Sequence, residues 1–319
     1  MPLKKFTLKT TEADRGKRLD QVLSDWLPGA ASTELSKGKI RKLIVAGAVY
    51  LNGKRLRIAS KNILPNAKID AFVDFEKLAA AGPGKDRPFE MKPCDILFED
   101  QYIIVVNKPA GLPTQPTLDE SRDNLFAVLK SYIAKRDGVV DPYVGLHHRL
   151  DRDTSGVILL TKDRQVNRAV ADLFSERQAQ KTYLALTAKP KAWDKKTWSI
   201  KNHLGRAVGS GKKARFGAVR SGGDFAHTDF EVLEEVGAGL VIQASPRTGR
   251  THQIRVHLSE AGLPILGDTH YGGSDARAAR VMLHAWRLQF NHPVSAQPLQ
   301  IESPIPQDFS ECLKKLKTR

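Results

Sequence analysis

Apolar positions in the first quarter of the chain recur at helical spacing. Leu19, Val22, Leu23, Trp26 and Leu27 share one face of a segment beginning near Gly16, and Pro28-Gly29 is expected to end it. Ile40, Leu43 and Ile44 mark a shorter helix over Lys39–Ala46, with Lys39, Arg41 and Lys42 near the surface and Gly47 placed as its C-cap. AVYLNGKRLR then reads as two short strands around Asn52-Gly53, the dipeptide best suited to a two-residue hairpin turn. A strand-like run over Lys68–Phe75 closes the unit, which spans residues 12–75.

Residues 76–92, EKLAAAGPGKDRPFEMK, lose this periodicity and gather Gly, Pro and charge, as a linker does. Beyond it, Ile103–Asn107 and Val157–Thr161 have the composition of buried strands, Gln165–Ser175 is amphipathic, and Thr182–Thr187 is again strand-like. No regular βαβ repeat, GxGxxG fingerprint or internal repeat is present. The fold class expected is α+β: a mixed, largely antiparallel sheet over residues 93–310, preceded by the small N-terminal α/β domain.

Composition narrows the partner. The 319 residues are 41% hydrophobic, enough for a buried core, and carry a formal charge of +16. Such an excess favours polyanions, above all nucleic acid. It is concentrated: residues 1–75 hold 15 Lys/Arg against 7 Asp/Glu, and Leu35–Ser60 holds seven basic residues and no acid. Lys39, Arg41, Lys42, Lys54, Arg55 and Arg57 from that patch are the candidate RNA contacts. Cys94 and Cys312 match no metal spacing and are expected as free thiols in a reducing cytosol. The polar N-terminus lacks an apolar signal core and no run is long enough to span a membrane, so a cytoplasmic protein is expected.

The densest chemistry lies in LHHRLDRDTSG, residues 146–156, which runs directly into the strand VILLTK. An acid at the mouth of a strand sits on a rigid element with its tip accessible. By itself the Asp-x-x-Thr-Ser-Gly stretch fits an Asx-type turn equally well. His147, His148, His252, His257 and His284 form no metal-binding spacing, and no metal site is expected.

HRLDRDTSG resembles the signature of the pseudouridine synthases that modify large-subunit ribosomal RNA and their relatives. Other stretches agree in order: NKPAGLPTQP (107–116), KTYLA (181–185), RTGRTHQIRVHL (247–258) followed by GLPILGDTHYGG, then LHAWRLQFNHP and SPIPQDF. The resemblance covers residues 93–310. The first unit is similar to S4-type RNA-binding domains through RLDQVL and LSKGKIRKLIVAGAVYLNG. Carried over position by position, the resemblance implies Asp151 as nucleophile, Tyr183 as the tyrosine beside the target base and Arg255 as the cation pairing with the aspartate. It also implies that Arg149 fills the gap left when a uridine is flipped out of the RNA, an extrusion that costs a few kcal/mol.

The reaction so implied breaks an N-glycosidic bond, turns the uracil and rejoins it through C5. No electron or group is exchanged with a second molecule, so no cofactor is expected. A carboxylate is a suitable covalent catalyst for it, a guanidinium can fix that carboxylate's orientation, and a phenol can help move the C5 proton. Attack at C1′ and elimination to a glycal both begin with the same acid. The substrate implied is structured RNA, bacterial 23S ribosomal RNA in the first place. The competing readings are a non-catalytic RNA-binding or ribosome-assembly factor, which would not need this acid, and a metal-dependent nuclease, which lacks clustered carboxylates. Lys201–Gly223, with six basic residues, six glycines and no acid, reads as a basic hairpin or loop.

Overall fold

A computed structural model of the chain describes residues 4–33, 35–74, 89–116, 123–208 and 215–317, excepting the side chains of Lys42, Ala207 and Val208. It divides into two compact units, Met1–Phe89 with Pro116–Asp123, and Glu90–Gln115 with Asn124–Arg319. Most of the 76–92 linker, and Phe75, lie outside the described residues.

The first unit packs α1 (Leu19–Ala31) and α2 (Lys37–Ala46) on a four-stranded sheet of β1 (Lys4–Lys9), β2 (Val49–Leu51), β3 (Lys54–Leu56) and β4 (Lys68–Val73), in the order β1-β4-β2-β3. Leu19, Leu23, Leu27, Ile40, Ile44, Val49 and Ile69 form its buried core, so the helical periodicity reports the packed face. Asn52 and Gly53 turn the β2–β3 hairpin at φ 49° and 77°.

Two expectations change. Pro28-Gly29 does not end α1; the helix continues to Ala31, and Ser32 at φ 49° caps it with its N–H directed at the carbonyls of Gly29 and Pro28. The proline forgoes its bond to the preceding turn and crowds the carbonyl there, and the chain still keeps helical geometry through Ala31. The unit also starts earlier than residue 12, because β1 pairs along its length with β4.

The second unit is built on an eleven-stranded sheet: β5 (Ile96–Glu99), β6 (Ile103–Lys108), β7 (Gly145–Leu146), β8 (Ser155–Thr161), β9 (Gln180–Ala188), β10 (Thr197–Val208), β11 (Arg215–Ala218), β12 (Asp224–Val236), β13 (Gly239–Pro246), β14 (Leu283–Asn291) and β15 (Pro298–Glu302). Its order is β11-β10-β12-β13-β9-β14-β8-β6-β5, with β15 on β14 and β7 on β8. Helices α3 (Leu125–Asp137), α4 (Asn167–Ser175), α5 (Gln253–Glu260) and α6 (Gln307–Lys317) complete it.

Among the described strands only β14 and β8 pair in parallel, with Ala285 opposite Gly156. The strands approach so closely there that a Cβ on Gly156, whose φ is 118°, would lie 2.1 Å from the Ala285 carbonyl oxygen. Only glycine fits, and this crossing fixes the strand entrance just past Asp151. Ile254 and Leu258 of α5, with Phe309, Cys312 and Leu316 of α6, join one core with β9, β12 and β13. The packed unit therefore runs past residue 310, the sequence-based limit. Both cysteines are free, Cys94 exposed and Cys312 buried. The basic segment at 201–223 contributes the β10–β11 strand pair, with residues 209–214 outside the described set.

Candidate active site

The loop bearing Asp151 is pinned by the segment before it in the chain. Thr114 Oγ1 donates to the Leu150 carbonyl at 2.7 Å and accepts the Leu150 N–H at 3.1 Å, and the Gly111 N–H donates to the Arg152 carbonyl at 2.9 Å. Beneath them lies the fully buried Lys108. Its Nζ donates to the carbonyls of Pro109, Leu112 and Arg152 at 2.9, 2.8 and 3.1 Å, one acceptor for each N–H of an ammonium. Burial pulls its pKa down to about 7, opposed by the charges of Asp153 and Asp151. The backbone is thus fixed while the Asp151 side chain stays 22% exposed.

Arg255 projects from α5 toward this carboxylate, with Nη1 3.3 Å from Asp151 Oδ2. Its other nitrogens are committed elsewhere: Nε and Nη2 donate to Asp268 Oδ2 and Oδ1 at 2.7 and 2.9 Å. Burial works against the Arg255 charge, but Asp268 and then Asp151 outweigh it and raise its pKa. The guanidinium lies over the Tyr271 ring, 5.0 Å from its centroid. The Tyr271 hydroxyl is 2.8 Å from His252 Nδ1 and accepts the Phe216 N–H of β11 at 3.3 Å. His252 Nε2 is 3.8 Å from Asp151 Oδ2. Burial lowers the His252 pKa, with Arg255 and His270 acting the same way against Asp151 and Asp268.

Tyr183 stands on β9 between Ala244 of β13 and Ala285 of β14. Burial, then the Asp151 charge, pushes its phenol pKa up, so it stays protonated. A cavity of about 660 Å³ is lined by Asp151, Tyr183, Arg255 and His252 together with Arg149, Arg177, Lys181, Arg247 and Arg250. Gln253 holds its 247–252 wall to β12: its Oε1 accepts from Thr248 Oγ1 and the Arg250 N–H, and its Nε2 donates to the His227 carbonyl and Thr228 Oγ1.

The structure therefore gathers Arg149, Asp151, Tyr183 and Arg255 around one cavity. It alters the expected pairing of Arg255, since the two-pronged contact goes to Asp268 and Asp151 receives a single nitrogen. The basic patch of the first unit is less uniform than its sequence suggests. Lys54, Arg55 and Arg57 are exposed and Lys39 is half-buried, while the Lys42 side chain lies outside the described residues. Arg41 is no exposed phosphate ligand: it is 17% exposed and ion-paired at 2.7 Å with Asp20, itself buried. The same carboxylate also takes Arg18 at 2.9 Å, so two cations share the buried charge. Arg55 also donates to the Tyr50 hydroxyl, at 2.7 Å through Nη2.

Sequence reasoning missed Asp268, Tyr271, Gln253 and Lys108 as parts of the site. All four lie in segments it had singled out, but nothing in the sequence separated them from their neighbours as buried partners. His148 takes a structural place, accepting the Leu159 N–H at 3.0 Å and stacking on Phe174, with burial lowering its pKa to about 3. Among the described residues, no three His, Cys, Asp or Glu side chains are grouped to hold a metal ion.

The cavity thus places an accessible acid beside a buried arginine and a protonated phenol, and comparison with known proteins identifies the family. Residues 102–260 match the family model described as RNA pseudouridylate synthase, and residues 17–69 match the S4 domain. The ribosomal large subunit pseudouridine synthase D of Xylella fastidiosa is 31% identical over 340 residues, covering 98% of this chain and 93% of that protein. The ribosomal large subunit pseudouridine synthase C of Escherichia coli is 32% identical over 326 residues, covering 96% and 95%. Human RNA pseudouridylate synthase domain containing 4 superposes with a TM-score of 0.56 at 26% identity, over 70% of this chain and 93% of that one. The chain belongs to the RNA pseudouridine synthase family, with an S4 domain at its N-terminal end.

Proposed function

We propose that this enzyme isomerises uridines in structured large-subunit ribosomal RNA of bacteria, with Asp151 as the nucleophile. The observation that carries the reading is the Asp151 carboxylate, accessible on the cavity wall yet fixed by Arg255 and by a pinned backbone. The relatives named for the ribosomal large subunit supply the substrate class.

The flipped uridine enters the cavity and Arg149, exposed at its rim, takes the place it leaves in the RNA. Asp151 starts the cleavage of the C1′–N1 bond, by attack at C1′ or by elimination to a glycal. The uracil turns and C5 bonds to C1′ as the Asp151–C1′ ester breaks or, on the glycal route, as C2′ regains its proton; the C5 proton departs and N1 gains a proton. Tyr183 offers the ring a face and a protonated hydroxyl. Arg255 keeps the carboxylate oriented throughout. The atoms balance within the substrate, so the reaction calls for no cofactor. The S4 domain contributes grip through phosphate contacts, which position RNA without reading its sequence.

The test compares wild type with Asp151→Asn on ribosomal RNA transcripts, scoring pseudouridine and RNA affinity together. The amide keeps the shape but lacks the charge, so pseudouridine should vanish with affinity nearly unchanged. Turnover within about tenfold of wild type, roughly 1.4 kcal/mol of barrier, would remove Asp151 from the nucleophile's role. A wild-type protein that binds the RNA and forms no pseudouridine would favour the assembly-factor reading.

A further inference from the structure

Apart from Arg149 at the rim, the cations lining the cavity fall into two groups. Arg247 is tied to Asp229 at 2.8 Å, Arg250 lies 3.9 Å from Asp224 and donates to the Phe225 carbonyl, and Arg255 is held by Asp268. Asp229 is itself fully engaged. Burial resists its charge, but Ser199, Arg247 and His227 overcome it and hold its pKa at about 2. Two other cations differ. Arg177, at the turn between α4 and β9, and Lys181, near the start of β9, both line the cavity. Neither has a carboxylate partner among the described residues.

Lys181 is the more unusual of the two. Its Nζ lies over the Phe174 ring, 5.8 Å from the centroid, and Phe174 stacks on His148 at 4.1 Å. A Cβ built on Gly249 would come within 3.6 Å of that amine, so the Lys181 head group sits beside the 247–252 segment. Burial lowers the Lys181 pKa, with no carboxylate to counter it. A desolvated ammonium without a counter-ion is costly to a fold that needs it for nothing else. Its position relative to Tyr183 gives the reason to keep it. The two residues are i and i+2 on one strand, so their side chains leave the same face, about 6.7 Å apart along it. A base against Tyr183 therefore has its own backbone within reach of Lys181. Arg177 stands at φ 63°, a conformation L-residues rarely adopt, in the turn that leads into the same strand.

We propose that Arg177 and Lys181 form a phosphate subsite that grips the RNA backbone beside the uridine held at Tyr183. This rests on the RNA substrate of the functional reading and extends it to a particular pair of side chains. The absent counter-ion of Lys181 is supplied by the phosphodiester. Arg247, paired with Asp229, and Arg250, donating to the Phe225 carbonyl, shape the neighbouring 247–252 segment.

The test is a salt titration of oligouridylate binding to the full-length protein by fluorescence anisotropy. Each phosphate contact adds about 0.7 to the slope of log affinity on log salt for a single strand. Lys181→Met, which keeps the apolar stem, and Arg177→Gln should each flatten the slope by about 0.7, and the double variant by about 1.4. Lys191→Gln, exposed and outside the cavity lining, should leave it unchanged. With a methylphosphonate oligomer, whose backbone is neutral, the difference between wild type and double variant should vanish. A folded double variant, judged by its melting curve, with a wild-type slope overturns the subsite, as does a difference that persists on the neutral backbone. If Lys181→Met does not fold, Arg177→Gln alone must show its share of the loss. Pseudouridine formation by wild type is scored beside the titration. A flattened slope without any pseudouridine would uphold the subsite and reject the catalytic reading.

Discussion

Arg255 binds Asp268 with two nitrogens and Asp151 with one. Asp268 is 1% exposed and Arg255 11%, so the pair behaves as a buried strut whose free corner faces the Asp151 carboxylate. Removing one member of such a pair strands the other, at roughly 3–5 kcal/mol. Asp268→Asn should therefore lower stability by that order in urea unfolding and reduce turnover, although Asp268 does not touch the substrate. Arg255→Lys should rescue only part of what Arg255→Ala loses, because a point charge cannot serve two carboxylates in fixed directions. An Asp268→Asn protein as stable and active as wild type would remove the strut.

Tyr271 ties three parts of the site together. Its hydroxyl meets His252 and the Phe216 N–H, and its ring supports Arg255. Tyr271→Phe keeps the ring but releases His252, for about 1 kcal/mol of stability. Turnover at saturating RNA should fall while the Arg255–Asp151 contact persists. Tyr271→Ala should lose more of both. Equal turnover in the phenylalanine variant and wild type would mean that His252 needs no anchoring.

Lys108 gives the pH dependence a definite sign. Its folded pKa of about 7 lies below the ordinary 10.5, so between those values the unfolded chain binds the extra proton. Stability then rises with pH across that window, by at most about 1.4 kcal/mol per pH unit, and below about pH 7 this contribution is level. Lys108→Met leaves three carbonyls without their donor and should cost about 2–3 kcal/mol near neutrality. The variant should also lose the upward slope between pH 7 and 10.5. Urea unfolding across that range checks both, and an unchanged slope would assign the pH dependence to other groups.

The basic patch of the S4 domain should separate into grip and scaffold. Neutralising exposed Lys54 and Arg57 should lower the salt slope on duplex RNA by about 0.9 for each phosphate those side chains hold, with an unchanged melting temperature. Arg41→Ala should do the reverse, destabilising the domain by leaving buried Asp20 with Arg18 alone, while the salt slope stays nearly intact. A melting temperature insensitive to Arg41→Ala would return Arg41 to the phosphate-binding set.

Local signals were legible in the sequence wherever one rule governed them. Leu19, Leu23, Ile40 and Ile44 face a core because helical periodicity has no other use for them, and Asn52-Gly53 turns a hairpin because both residues tolerate positive φ. Pro28 misled because a proline's cost falls on its bond to the turn before it, while helical geometry continues after it through Ala31. β1 and α6 escaped notice because each is stable only on its partners, β4 and the main core.

The sequence by itself determined the class of chemistry: an ordered set of motifs, one acid before a buried strand, a tyrosine, an arginine and a basic first unit. Tertiary structure decided how those residues are held. Asp151 and Arg255 are 104 positions apart, Thr114 and Leu150 36, and Lys108 and Arg152 44. Which carboxylate receives the arginine's fork, which lysine is buried beneath the loop and which cations stay without a counter-ion all depend on distances across the folded sheet. A charge written in the sequence has a sign and a position in the chain; only burial and neighbours give it a partner.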